Sequence, residues 1–193
     1  MQASEPACFI GVTPTGALTW LGQADRSPER DVIERLLSLD GRCPVNLRAM
    51  CASMSWSLAE LGRVLFVLNR SRGVQIDAVR SPDADPGGNE LARLDDNLRA
   101  LVGTGQCALL AGSDGLCLAA CGWSVEEADV TAGGLAASSA ARVAAQGVTL
   151  FFARERVVFF SDAGVDLAHP SWIPVVRRLM RACGPLGLDL EAA

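Results

Sequence analysis

The residue types that carry covalent or acid–base chemistry are thinly spread in this chain. There is one histidine, His169, no tyrosine, and seven cysteines: Cys8, Cys43, Cys51, Cys107, Cys117, Cys121 and Cys183. His169 stands in Ala168-His169-Pro170-Ser171, just ahead of an expected helix, and reads as a cap-region or surface side chain before it reads as a general base. Cys117 and Cys121 are four apart with no histidine nearby, whereas a zinc site needs about four such ligands at close spacing. An odd cysteine count scattered over the chain argues against a disulfide framework, and the apolar neighbours favour buried thiols. Asp95-Asp96 and Glu126-Glu127 are carboxylate pairs, but adjacent side chains on a helix point apart, so solvated faces and helix starts account for them. Gly103-Thr104-Gly105 is too short for a dinucleotide fingerprint and precedes a strand rather than following one. No G-x-S-x-G, P-loop or H-E-x-x-H is present. These residues point to a non-enzymatic protein, and they call for no cofactor or metal.

Two other sets of residues point to binding. The 193-residue chain has a formal charge of −5, and all of its Lys+Arg positions are arginine. Residues 30–80 hold eight arginines against five acids, while residues 81–193 hold eight against fourteen. Trp56, Arg63, Arg70 and Arg72 lie in and around an expected third helix, where contacts to bases and phosphates would be made. Glu60 shares that helix, and Val64, Phe66 and Val67 leave it little polar face. The second set is Gly133, Ala137 and Ala141. They lie four apart on an expected long helix, so they form a smooth ridge. Interior glycine costs about 1 kcal/mol relative to alanine, a loss that close packing of another backbone can recover.

The elements that must position these residues fall into two halves. Cys8–Val12 and Ala17–Leu21, around Thr13-Pro14-Thr15-Gly16, read as a hairpin with a type I turn. Ser27-Pro28-Glu29 opens a helix with Val32, Ile33, Leu36, Leu37 and Leu39 inward, and Asp40-Gly41 ends it. Asn46 caps a second helix through Met54, with Leu47, Met50 and Cys51 inward. Ser57-Leu58-Ala59-Glu60 is a capping box that opens a third, with Leu58, Leu61, Leu65 and Leu68 on one face. A strand over 74–79 follows Arg72-Gly73. Over Leu36–Ile76 this order resembles a winged helix-turn-helix. Only one strand follows the third helix, so the first hairpin is the available partner for it. Ser81 to Gly88, with two prolines, two glycines and two aspartates, reads as a linker between an N-terminal domain, 1–80, and a C-terminal domain, 89–193.

In the second half, Asn89 caps a helix through Leu91, Leu94, Leu98, Leu101 and Val102 to Gly103. Gln106–Ala111 and Leu116–Cys121 flank Asp114-Gly115, a strong hairpin signal. Ser124-Val125-Glu126-Glu127 is a second capping box, and its helix is expected to reach about Ala145. Strands over 148–153 and 156–161 follow, then a weak strand over 165–167. Ser171 caps a last helix with Ile173, Val176, Leu179, Met180 and Cys183 inward. An antiparallel sheet with helices on its faces is the natural packing, giving an α+β fold. Cys107–Gly122, an apolar strand, an Asp-Gly turn and a second apolar strand, is similar to the first hairpin of the roadblock/dynein light chain family, and the order over 89–186 resembles it too. A profilin-like or GAF-like sensor half shares the same outline. The roadblock resemblance implies a homodimer through the long helix and the adjacent strand, with the ridge of Gly133, Ala137 and Ala141 at or near the dimer contact, and association with a Ras-like small GTPase. The expected role is therefore a protein-interaction scaffold or regulator, with a DNA-binding transcriptional regulator as the alternative. Met1–Pro6 lacks a basic start and an apolar core, and no apolar run reaches the roughly 18 residues of a spanning helix, so a cytoplasmic protein is expected.

Overall fold

The computed structural model describes residues 9–39, 45–77, 93–138, 147–153, 155–162 and 164–183. The order is β1 (Phe9–Val12), α1 (Pro14–Leu21), α2 (Pro28–Ser38), α3 (Leu47–Met54), α4 (Leu58–Arg70), β2 (Val74–Asp77), α5 (Leu94–Val102), β3 (Ala108–Ala111), β4 (Cys117–Cys121), α6 (Val125–Ala137), β5 (Gly147–Phe152), β6 (Glu155–Ser161) and α7 (Trp172–Cys183). β1 and β2 form an antiparallel ribbon, and β4-β3-β6-β5 form a four-stranded antiparallel sheet. The class is α+β.

The first departure from the sequence reading is α1. Thr13-Pro14-Thr15-Gly16 is a helix start and not a hairpin turn. The Thr13 side chain accepts from the Gly16 N–H at 3.0 Å, and Pro14 takes the first helical position, where its missing N–H costs nothing. A type I turn and the first turn of a helix share their dihedrals, so the four residues alone do not separate the two. Gly16 is there for space: a Cβ built on it would lie 2.1 Å from the Gly73 carbonyl oxygen. The Thr13 hydroxyl donates to the Arg72 carbonyl at 2.6 Å, and the Thr13 N–H to that of Gly73 at 3.1 Å. These bonds tie α1 to the turn after α4. β1, freed from the expected hairpin, pairs with β2 instead, with Ile10 opposite Ile76.

Capping sets the other helix starts. Ser27 and Asn46 each accept from the third residue beyond them, at 3.1 and 3.0 Å, and the Ser57–Glu60 capping box is complete. Two leucines expected inside are outside. Leu58 lies at the start of α4, about one helical turn short of the buried Leu61-Leu65-Leu68 stripe. Leu39 follows the last turn of α2, where the chain is already extended.

The sheet is covered on both faces at β3, which is why Ala108 to Ala111 is apolar without alternation. Ala108, Leu110, Leu150, Phe152, Val157 and Phe159 face the main core, with α5 and α7. Leu109, Ala111 and Phe160 face α6 through Ala132. Trp172 of α7 is fully buried, stacks edge-on to Phe159 with centroids 4.9 Å apart, and donates its indole N–H to the Asp166 carbonyl at 3.1 Å. Asp166 Oδ1 also accepts from the Ala168 N–H at 2.9 Å. A local turn stands where a strand was expected over 165–167: the Asp166 carbonyl, an acceptor a ladder would need, takes the His169 N–H at 3.1 Å and the Trp172 indole N–H. The linker at 81–88, Asn89 and Leu91 lie outside the described residues.

One continuous cluster of buried side chains contains both Ile10, Leu21, Ile33 and Leu68 and Leu98, Leu150, Phe159 and Leu179. α1 and α2 reach it over the outer edge of β5 and against α7. At that edge the guanidinium of Arg30, 3% exposed, donates to the Phe151 carbonyl, to the Gln23 carbonyl and, at 2.8 Å, to Glu34. Gly22 lies close enough that a Cβ on it would be 3.5 Å from the Thr149 carbonyl. Arg30→Ala is expected to cost about 3 kcal/mol, because it removes the packing of a buried side chain and leaves partly buried acceptors without their charged partner. Urea unfolding followed by circular dichroism measures it. Gly16→Ala is expected to cost on the order of 2 kcal/mol by the same assay, because the atom it meets is backbone and yields poorly.

Candidate functional site

The structure disperses the residues that could do chemistry. His169 is partly buried, and its Nδ1 accepts from the Ser171 N–H at 3.2 Å, so the imidazole caps the start of α7. Cys117 packs towards α6 while Cys121 packs into the main core, on opposite faces of the sheet; burial pushes both thiols up. Asp95 Oδ1 accepts from the Ala120 N–H at 3.2 Å on the outer edge of β4, and Asp96 pairs with Arg99 at 3.2 Å. Among the described residues no three His, Cys, Asp or Glu side chains gather as metal ligands.

α3 and α4 meet at 104° across Ser55-Trp56-Ser57. This crossing lies in the range of helix-turn-helix pairs. Ser55 adopts a left-handed conformation, φ 57°, and the Trp56 N–H donates to the Cys51 carbonyl at 2.9 Å. Trp56 is half-buried, packs against the core and is part of the turn. Arg63 and Arg70 are exposed on the face of α4 opposite Leu61, Leu65 and Leu68; Arg63 Nε donates to the Ala59 carbonyl at 3.4 Å. Arg72 lies beyond the helix at φ 58°, exposed. Between Arg63 and Arg70 stand Phe66, 65% exposed, and Val67, 44% exposed. The sequence reading counted these two against DNA contact and did not mark them as a surface. The signal was present, since Phe66 falls off the leucine stripe by more than a third of a helical revolution.

α6 is opened by the expected capping box. The Ser124 hydroxyl donates to Glu127 Oε2 at 2.7 Å, the Ser124 N–H donates to the same oxygen at 3.0 Å, and the Glu127 N–H donates to Ser124 Oγ at 3.3 Å. The helix ends at Ala137, not near Ala145, with Ser138 already extended. Ala141 lies outside the described residues. Ala128 and Ala132 point inward, above a sheet face where Trp123 meets Phe160 at 5.9 Å. Gly133 and Ala137 are exposed, with Gly134 and Val130 beside them; Val130 is 73% exposed. A Cβ on Gly133 or Gly134 would meet nothing within 4 Å. The Cα side of Gly133 is used, however. The Asp114-Gly115 turn, with Gly115 at φ +84°, sits against α6 so that a Cβ on Gly115 would lie 3.4 Å from Gly133 Cα. The ridge therefore seats a turn from one side and leaves its outward side open.

The hydroxyl and N–H of Ser124 hold the Glu127 carboxyl below the usual glutamate range, and the N–H and hydroxyl of Ser57 do the same for Glu60. A lowered folded value stabilises above the ordinary glutamate pKa, about 4.3, and that stability is lost as pH falls through the lowered value. Acidification from about pH 6 to about pH 3 is expected to lower the melting temperature, and Glu127→Gln with Glu60→Gln to flatten that dependence.

Comparison of the chain with protein-family models, with curated proteins and with solved structures finds no match in any of the three.

Proposed function

We propose that this chain is a non-enzymatic interaction scaffold or regulator that acts as a homodimer and engages a Ras-like small GTPase or another regulatory protein. The observation that carries the reading is the outward side of α6: Gly133, Gly134 and Ala137 keep it smooth, and no described residue covers it. A solvent-facing glycine pair lowers helix stability, and since a Cβ would fit at both positions the turn on Gly133 does not require it; contact with another backbone gives it a purpose. The roadblock-like order of α5, β3, β4, α6, β5, β6 and α7 supports the same reading. The strand arm of the dimer implied by that resemblance is not open here, because Arg30 and the end of α1 occupy the outer edge of β5. Self-association then rests on the helix face.

The second reading, a DNA-binding transcriptional regulator, is favoured by the 104° crossing of α3 and α4 with Arg63, Arg70 and Arg72 exposed beside it. Phe66 and Val67 at the centre of that face weigh against it.

Gly133→Leu separates the readings. It is expected to raise the helix stability by up to about 1 kcal/mol, since a better helix former replaces glycine in open space, while weakening self-association measured by light scattering after size exclusion. Unchanged mass together with a stabilised fold contradicts the dimer. For the second reading, anisotropy with random duplex DNA at low salt is expected to show binding that falls steeply as salt rises, by displaced counterions. No binding at high protein concentration removes it.

A further inference from the structure

We propose that the Phe66 face of α4 receives the α6 face of a second copy of this chain, so that self-association joins α4 to α6 rather than α6 to α6. The proposal rests on the self-association read above and names the surface that answers the ridge.

Three observations carry it. The first is charge. The outward face of α4 presents Arg63 and Arg70, and α6 presents Glu126 and Asp129; all four are exposed, and none forms an ion pair with a described residue. An α4–α4 contact would set arginines against arginines, whereas α4 against α6 brings opposite charges together. The second is apolar surface. Phe66 and Val67 on α4, with Leu58 at its start, and Val125 and Val130 on α6 are the large apolar side chains that these two helices leave in water. The third is shape. Gly133 and Gly134 leave a hollow on α6 beside Val130 and Ala137, and Phe66 is the protruding ring on α4. Arg63 and Arg70 lie about one helical turn to either side of Phe66, and Asp129 about one turn before Gly133. With the ring seated on Gly133, one of the two arginines reaches Asp129 whichever way the helices run.

The test uses the full chain in three forms: the parent, Arg63→Glu with Arg70→Glu, and Glu126→Arg with Asp129→Arg. All substituted positions are exposed, and thermal melting checks that each form folds. Sedimentation velocity is expected to show the parent associating and each reversed form weakened at least about tenfold, through like charges brought face to face. Mixing the two reversed forms, one carrying a fluorophore, is expected to restore association, because each contact then has one positive and one negative side. Phe66→Ala is expected to weaken the parent as well. If both reversed forms associate like the parent, or if the mixture stays dissociated, the α4–α6 contact is overturned. In either case loss of association in Gly133→Leu leaves the α6 reading standing. A monomeric parent overturns both.

Discussion

A single buried guanidinium decides how the two halves of this chain relate. Arg30 lies inside α2 at 3% exposure, and each of its three guanidinium nitrogens donates to an acceptor: the Glu34 carboxylate, the Gln23 carbonyl and, far along the chain, the Phe151 carbonyl. Carrying a charge into a low-dielectric site is costly unless it is paired and hydrogen-bonded. Arg30 meets that condition only while α2 lies along β5. The contact therefore works as a register pin between the N-terminal helices and the C-terminal sheet. The apolar cluster joining Ile33 to Leu150 and Leu179 then supplies the bulk of the attraction.

The same contact shapes what the molecule can present. A free sheet edge is a template for another strand. Here the outer edge of β5 is held by Arg30 and approached by Gly22, and the opposite edge, β4, gives its Ala120 N–H to Asp95. With both edges of the four-stranded sheet engaged, α4 and α6 are, among the described residues, the helices whose faces leave large apolar side chains in water. α4 and α6 each have a narrow inward stripe and an outward side with apolar side chains in water. Their contrasting charge and relief follow from where the capping boxes start each helix. The acids of α6 cluster in its first turns, where the macrodipole favours them, and Arg63 and Arg70 lie further along α4.

Much of this was legible in the sequence. Ser27, Asn46, Ser57 and Ser124 marked four helix starts to the residue, because caps combine a side-chain acceptor with a following periodic run. Asp114-Gly115 marked the β3–β4 turn for a steric reason that needs no context. The errors have separate causes. Thr13-Pro14-Thr15-Gly16 satisfies both a turn and a helix start, and only the approach of Gly73 decides between them. The strand expected over 165–167 lost to local bonds accepted by the Asp166 carbonyl. The ridge was legible as a composition, Gly133 and Ala137 at helical spacing, but its open outward side depends on what packs elsewhere. Arg30 was counted with the basic surface, since nothing local tells a buried arginine from an exposed one; its i,i+4 partner Glu34 was the only hint.

The central claim is that α6 meets a second copy through its outward side while β5 stays closed by its own chain. Peptide-resolved hydrogen exchange at rising protein concentration addresses both parts together. Amides of residues 125–137 are expected to gain protection with concentration, while those of residues 147–152 stay unchanged and already slow. Protection that grows over 147–152 and not over 125–137 would contradict the account, because it would mean that copies join through the strand edge that Arg30 is held to close.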